Sequence, residues 1–155
     1  MLIESMTWQV SSELLARAKV GRLACAHEGQ PYITPISFIY EPSFLYSFST
    51  VGQKITWMRA NPLVCVEVEE VVNPRDWATV IVLGWYEELT ETSNDAGLAL
   101  ARDLLQRRPL WWEPGSARTV IEGKERPVEE GVYFRIHPSK ITGHRAIPDT
   151  ALPAR

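Results

Sequence analysis

Positions 47 to 54 read Ser47-Phe48-Ser49-Thr50-Val51-Gly52-Gln53-Lys54, a strand-like run that ends in hydroxyls, turns through Gly52 and opens a helix with a lysine in its first turn. This order suits an anion. Hydroxyls donate to phosphate oxygens, the free amides of a helix N-terminus point outward, and a nearby lysine supplies compensating charge. The same residues also suit a plain helix cap followed by a solvated lysine, and the local pattern alone leaves both readings open. GxxxxGK[ST] and GxGxxG are both absent, which argues against the Walker loop and the Rossmann fingerprint.

Other chemistry-bearing residues are sparse. His27, His137 and His144 show no HxxxH or HExxH spacing that would set two imidazoles on one helical face, so no metal site is expected. Cys25 and Cys65 lie in strand-like runs without CxxC spacing and read as small buried apolar side chains. The net charge of −3 gives no broad cationic field, and no Lys/Arg run exceeds Arg107-Arg108, so nucleic acid is a poor partner. Apolar runs such as Thr79 to Leu83 are far too short to cross a bilayer, and the first ten residues hold no secretory core, so no membrane is expected and the chain reads as cytoplasmic.

The elements that must position these residues are mostly strands. A short helix is expected over Ser11 to Arg17, and Arg22 to His27 and Pro31 to Tyr40 flank Glu28-Gly29-Gln30 as a hairpin. Phe44 to Ser49 is a third strand, followed by a helix from Gly52 that Asn61-Pro62 ends. Leu63 to Glu69 is a fourth strand, and Trp77 to Glu87 is the longest apolar one, with Gly84 as a bulge or close-approach point. Thr90 to Arg108 reads as a helix with Ala96, Leu100 and Leu104 on its apolar stripe. Leu110 to Glu130 reads as an irregular, partly buried excursion, Val132 to His137 as a last strand, and 148–155 as a tail behind one domain over 1–147. Strands in hairpin order with peripheral helices and no βαβαβ alternation predict a mainly β protein, a small barrel or sandwich.

From about Val20 to Ala146 the chain resembles the pyridoxamine 5′-phosphate oxidase-like FMN-binding split barrels, in the branch that includes nitroimidazole-resistance reductases. The resemblance is carried by Gly21-Arg22-Leu23-Ala24, by Pro31 to Phe38, by Leu45 to Ser49 with Gly52-Gln53-Lys54, by Arg59 to Cys65, by Trp77 to Gly84 and by Ile141 to Ala146. It implies a six-stranded antiparallel Greek-key split β-barrel that binds FMN. It further implies that the backbone of Thr34, Pro35, Ile36 and Ser37 runs along the isoalloxazine ring, and that Ser47, Phe48, Ser49, Thr50, Gln53 and Lys54 approach the ribityl phosphate. A homodimer with two shared FMN sites follows from the same resemblance, with Trp77 and Thr79 reaching the partner's cofactor. Trp85 and Trp111-Trp112 either wall the pocket or fill the core and interface, and Arg118, Arg126 and Arg145 are further anion contacts to consider.

The sequence also departs from the family's better-known activities. Ser47 stands where the nitroimidazole reductases carry histidine, and the C-terminal region offers only His144-Arg145 of the oxidases' Arg-rich substrate signature. The leading expectation is therefore a flavin-dependent oxidoreductase acting on an unknown small molecule. A non-catalytic flavin-binding or storage module, haem or deazaflavin binding on the same barrel with His144 as the one axial candidate, and a purely structural dimer are the alternatives.

Overall fold

Two tight turns bring the first hairpins together. His27 pairs with Gln30 across Glu28 (φ 49°) and Gly29 (φ 78°), two left-handed residues in succession that match the twist of antiparallel strands. This joins β2 (Val20–His27) to β3 (Gln30–Glu41). Pro42-Ser43, with Ser43 at φ 88°, then joins β3 to β4 (Phe44–Thr50). The computed structural model describes residues 1–107, 118–127 and 131–147.

Helix α2 (Gln53–Ala60) leads into β5 (Leu63–Asn73) and β6 (Asp76–Leu89), helix α3 (Glu91–Gln106) follows, and the long β9 (Gly131–Ile147) closes the fold. At the front stand β1 (Leu2–Met6) and α1 (Trp8–Arg17), and a separate hairpin is formed by β7 (Arg118–Ile121) and β8 (Lys124–Pro127). The main sheet runs β1-β9-β4-β3-β2-β5-β6, and β6 pairs back onto β9. Six of its seven strands therefore form a closed ring, and β5 beside β2 completes the Greek key started by β2, β3 and β4. Closure leaves no free outer strand among these six.

The barrel is split because β9 is shared. On one edge it pairs with β6 over Tyr133 to Arg145, while on the other it pairs first with β4 (Gly131 to Ile136) and then with β1 (Gly143 to Ile147). A bulge near Gly84 bends β9 between these halves: a Cβ at Gly84 would stand 2.3 Å from the His137 carbonyl oxygen, so only glycine admits the approach.

The interior is apolar. Leu23, Val66, Val80, Phe134 and Ile136 face inward, while Leu14 and Leu15 of α1 and Ile55 and Met58 of α2 join the same cluster from the helices. Helix α3 packs outside the barrel, with Leu98 and Ala101 against Tyr46 and Leu89.

Several sequence expectations are corrected here. Helix α1 starts at Trp8, not Ser11, because Thr7 accepts the Val10 amide as the cap and a strand precedes it. The α3 stripe is one residue out of phase: Gly97, Leu98, Ala101 and Leu105 are buried, whereas Ala96 and Leu100 are exposed. The expected excursion contains the β7–β8 hairpin, and the last strand runs ten residues past His137 to Ile147. Cys25 is buried as expected, but Cys65 is only half-buried. Trp111, Trp112, the side chains of Arg118 and Arg126, and the tail 148–155 lie outside the described residues.

Candidate functional site

The opening in the barrel lies where β3 and β4 part. They pair only from Phe38↔Ser47 to Glu41↔Phe44, whereas β3 continues along β2 from Ser37 back to Gln30, and β4 continues along β9 to Thr50. The backbone of Thr34 to Ser37 therefore faces the opening on its edge away from β2, and Phe48 to Thr50 face it from the other side. Pro35 adds no amide to that edge.

The N-terminus of α2 sits at the β4 end of the opening. Its cap, Gly52, offers no side-chain acceptor, in contrast with Thr7 at α1 and the Thr90–Ser93 capping box at α3, so its first-turn amides are not satisfied by a cap. The other end of α2 is clamped. Arg59 makes a two-point pair with Glu88 at 2.7 Å, Tyr86 Oη donates to the same carboxylate at 2.8 Å, and Asn61 Nδ2 donates to the Ala26 carbonyl at 3.0 Å. The hydrogen bond from Arg59 holds Glu88 below the usual carboxylate range, while burial and then Glu88 push the Tyr86 phenol up.

Lys54 is half-buried in the first turn of α2. Burial lowers its ammonium pKa, with a partial counter-effect from Cys25, and burial raises the Cys25 thiol with Lys54 opposing. No carboxylate among the described residues pairs with Lys54. A cation partly out of water and without a counter-ion among the described residues, beside uncapped amides, is electrostatically incomplete, and an anion would complete it.

The other expected site residues fall into three groups. Thr34, Pro35, Thr50 and Gln53 are exposed or half-buried around the opening, whereas Ile36 is 3% exposed with its side chain in the core, so its contribution there is its backbone. Ser37, Ser47 and Ser49 are buried: Ser47 Oγ donates to the Ser37 carbonyl at 2.7 Å and Ser49 Oγ to the Thr50 carbonyl at 3.0 Å. Those two hydroxyls are thus engaged within the chain, and Thr50 is the hydroxyl left at the strand end. Phe48 turns to the α3 side, its ring 4.8 Å from that of Tyr133.

Trp77 and Thr79 stand apart. The row from Pro35 crosses Arg22 and Glu67 to Ile81, so β6 is three strands from β3, and one chain does not gather these two with Lys54. They share an outer face with exposed Ile81, Leu83 and Trp85, and across from Trp85 lies exposed Leu63. His144, exposed, is the β9 partner of Thr79. Trp85 stacks on His137 with ring centroids 3.6 Å apart, and His27 packs against Trp57 of α2 at 5.7 Å.

Sequence reasoning missed the carboxylates that brace the site. Glu87 and Glu88 are adjacent but face opposite ways: Glu88 holds α2, and Glu87 takes hydrogen bonds from Arg135, His137 and Asn94. Burial pushes Glu87 up, but those bonds outweigh it and bring its carboxyl down to about 2. No local sequence pattern signals this bracing, because Arg59 and Glu88 are 29 residues apart in the chain.

Comparison with known proteins agrees with this fold. An uncharacterised protein of Rhizobium meliloti (strain 1021) is 35% identical over 147 residues, covering 94% of this chain and 97% of its own. The crystal structure of a FAD-binding protein from Mesorhizobium loti, 37% identical, superposes with a TM-score of 0.76 over 95% of this chain and 100% of that one. The FAD binding protein from Mycobacterium smegmatis shares the fold at 22% identity, with a TM-score of 0.64 over 92% of this chain and 96% of that one. Residues 7–145 match the family described as Pyridoxamine 5'-phosphate oxidase, and with nearly the whole barrel inside that match the chain belongs to the pyridoxamine 5′-phosphate oxidase-like family.

Proposed function

We propose that this chain is an FMN-dependent oxidoreductase, working in the cytoplasm on a small molecule, whose two flavin sites are shared between the copies of a homodimer. The observation that carries the reading is Lys54, a partly desolvated cation with no carboxylate partner among the described residues, in the first turn of the uncapped α2, which follows directly on the β4 end that borders the open backbone edge of Thr34 to Ser37. This arrangement supports a ligand with a phosphate at one end and a flat, hydrogen-bonding ring at the other. Lys54 and the α2 amides hold the phosphate, Thr50 and Gln53 flank it, and the β3 edge orients the ring. The similarity to a FAD-binding protein at 37% identity supports a flavin. FMN bound there accepts and passes on hydride or electrons; the protein contributes orientation and the exclusion of water.

The homodimer rests on the outer face of β5 and β6. Leu63, Ile81, Leu83 and Trp85 form an exposed apolar surface of the kind that subunit contacts cover. Trp77, Thr79 and His144 lie on or beside the same face, so a second copy seated there would receive them next to its own opening.

The deciding measurement is an absorption spectrum of the purified protein, with mass identification of the small molecule released on mild denaturation. Flavin bands and released FMN are expected. A colourless protein that takes up no added FMN would overturn the assignment, and a Soret band would point to haem with His144 as the ligand to test. Consumption of NAD(P)H by the flavin-loaded protein separates an enzyme from a flavin carrier.

A further inference from the structure

On the α3 side of the sheet, beside the Thr50 end of β4, lies a groove of about 450 Å³ that the site described above does not use. Its size falls within the roughly 300 to 1,000 Å³ typical of small-molecule sites. It begins next to the proposed phosphate position, because Gly131 and Val132, which line it, are the β9 partners of Thr50 and Ser49. One strand spacing, ~4.8 Å, separates the two strands at that end.

The lining is chemically specific. Leu89 and Leu98 make an apolar floor, each less than a tenth exposed, and Val132 lines the groove beside them with its side chain turned into the barrel core. Tyr133 lines the groove with a half-buried ring, packed edge-on by Phe48, and the Arg102 guanidinium stands over that ring at 5.7 Å. No carboxylate among the described residues pairs with Arg102. The helix end at the rim is closed by its own capping box, and Arg102 is the cation that lines the groove. Of the acidic residues that line the groove, Glu88 turns its carboxylate away to Arg59 of α2, and Glu91 is exposed at the start of α3.

We propose that this groove is a subsite for an adenosine 5′-phosphate group, with the purine on Tyr133 and the phosphate on Arg102. A planar base stacks on an aromatic ring, a guanidinium matches phosphate geometry, and a rim carboxylate accepts hydrogen bonds from ribose hydroxyls. The proposal rests on the flavin reading of the adjacent opening. Two molecules carry this group to that place: FAD, whose pyrophosphate would pass the Thr50–Gly131 strand end, and a pyridine dinucleotide bound beside FMN.

The test uses the full chain, its Arg102→Ala variant, which alters only an exposed helix residue, and Tyr133→Ala. AMP is titrated calorimetrically into FMN-loaded protein, and FMN and FAD affinities are measured by flavin fluorescence. If FAD is the source, it binds at least about tenfold more tightly than FMN, the scale of one stacked base, and both variants reduce that ratio toward one. If a pyridine dinucleotide is the source, AMP binds the FMN-loaded protein, NADPH displaces it, and both variants weaken AMP about tenfold while FMN affinity holds. Equal FMN and FAD affinities in all three proteins, with no AMP binding, would overturn the proposal, as would variants that weaken FMN as much as FAD. Failure of the flavin reading is distinguishable, since AMP would then still bind a protein that takes up no flavin.

Discussion

The Ser47 hydroxyl donates to the Ser37 carbonyl at 2.7 Å on the last rung before β3 and β4 separate. Both residues are buried, so this side chain closes the ladder at the apex of the opening and sets how far the two strands splay. Ser47→Ala leaves the bond to a buried carbonyl unmade, which costs about 1–3 kcal/mol. The unfolding free energy from a urea titration should fall by that amount, through a lower midpoint at an unchanged slope, and FMN affinity should fall several-fold as the edge loses its register. An unchanged midpoint would show that the bond does not brace the opening.

Lys54→Ala should weaken FMN binding by about one to two orders of magnitude, the scale of a lost charge-assisted contact. The pH dependence has a definite sign. Burial lowers the Lys54 pKa in the empty protein, and a bound phosphate favours the charged form, so affinity should fall as pH rises toward and through that lowered value. Lys54→Arg should bind FMN without this alkaline loss, because a guanidinium stays protonated there. Identical pH profiles for the wild type and Lys54→Arg would remove Lys54 from the phosphate site.

Glu87 predicts behaviour in acid. Its carboxyl lies at about 2 against an ordinary 4.5, so its contribution to stability is present above about 4.5 and is lost as pH falls toward 2. Glu87→Gln should lower the melting temperature at neutral pH and flatten the acid limb in that window. A variant that keeps the wild-type acid limb would mean that Arg135 and His137 do not stabilise the charged form.

The outer face of β5 and β6 is tested by charge. Leu83→Glu, at a position 45% exposed, should leave the barrel folded by circular dichroism but shift sedimentation from dimer to monomer. FMN retention should drop with it. A monomer that holds FMN at micromolar concentration would contradict the shared site.

How far these features are legible in the chain differs from element to element. The β2–β3 turn was readable because Glu28-Gly29 sits between alternating runs, and α2 was readable because Gly52 opens it and Asn61-Pro62 ends it. The α3 stripe was not. Asn94 leaves helical geometry (φ −163°, ψ 77°), accepts the Gly97 amide at 2.8 Å and is held by Glu87, so the buried side follows the small residues Gly97 and Ala101 while the larger Leu100 faces out. The second half of β9 was equally hidden. By sequence the strand stops at His137, yet it passes Gly84 and continues because β6 and β1 supply partners on both edges.

By itself the sequence determined a mainly β chain and the hairpin order of its main strands, and it singled out the hydroxyl–Gly–Lys run as a candidate anion site, because turn residues, period-two alternation and that run act over a few neighbouring residues. Only the tertiary structure decided which hydroxyls remain available, that Lys54 lacks a carboxylate partner among the described residues, and that Trp77 and Thr79 lie three strands away from it. Those properties belong to barrel closure: which face a side chain takes, and what stands opposite it, depends on pairings between residues far apart in the chain, and no local pattern encodes them.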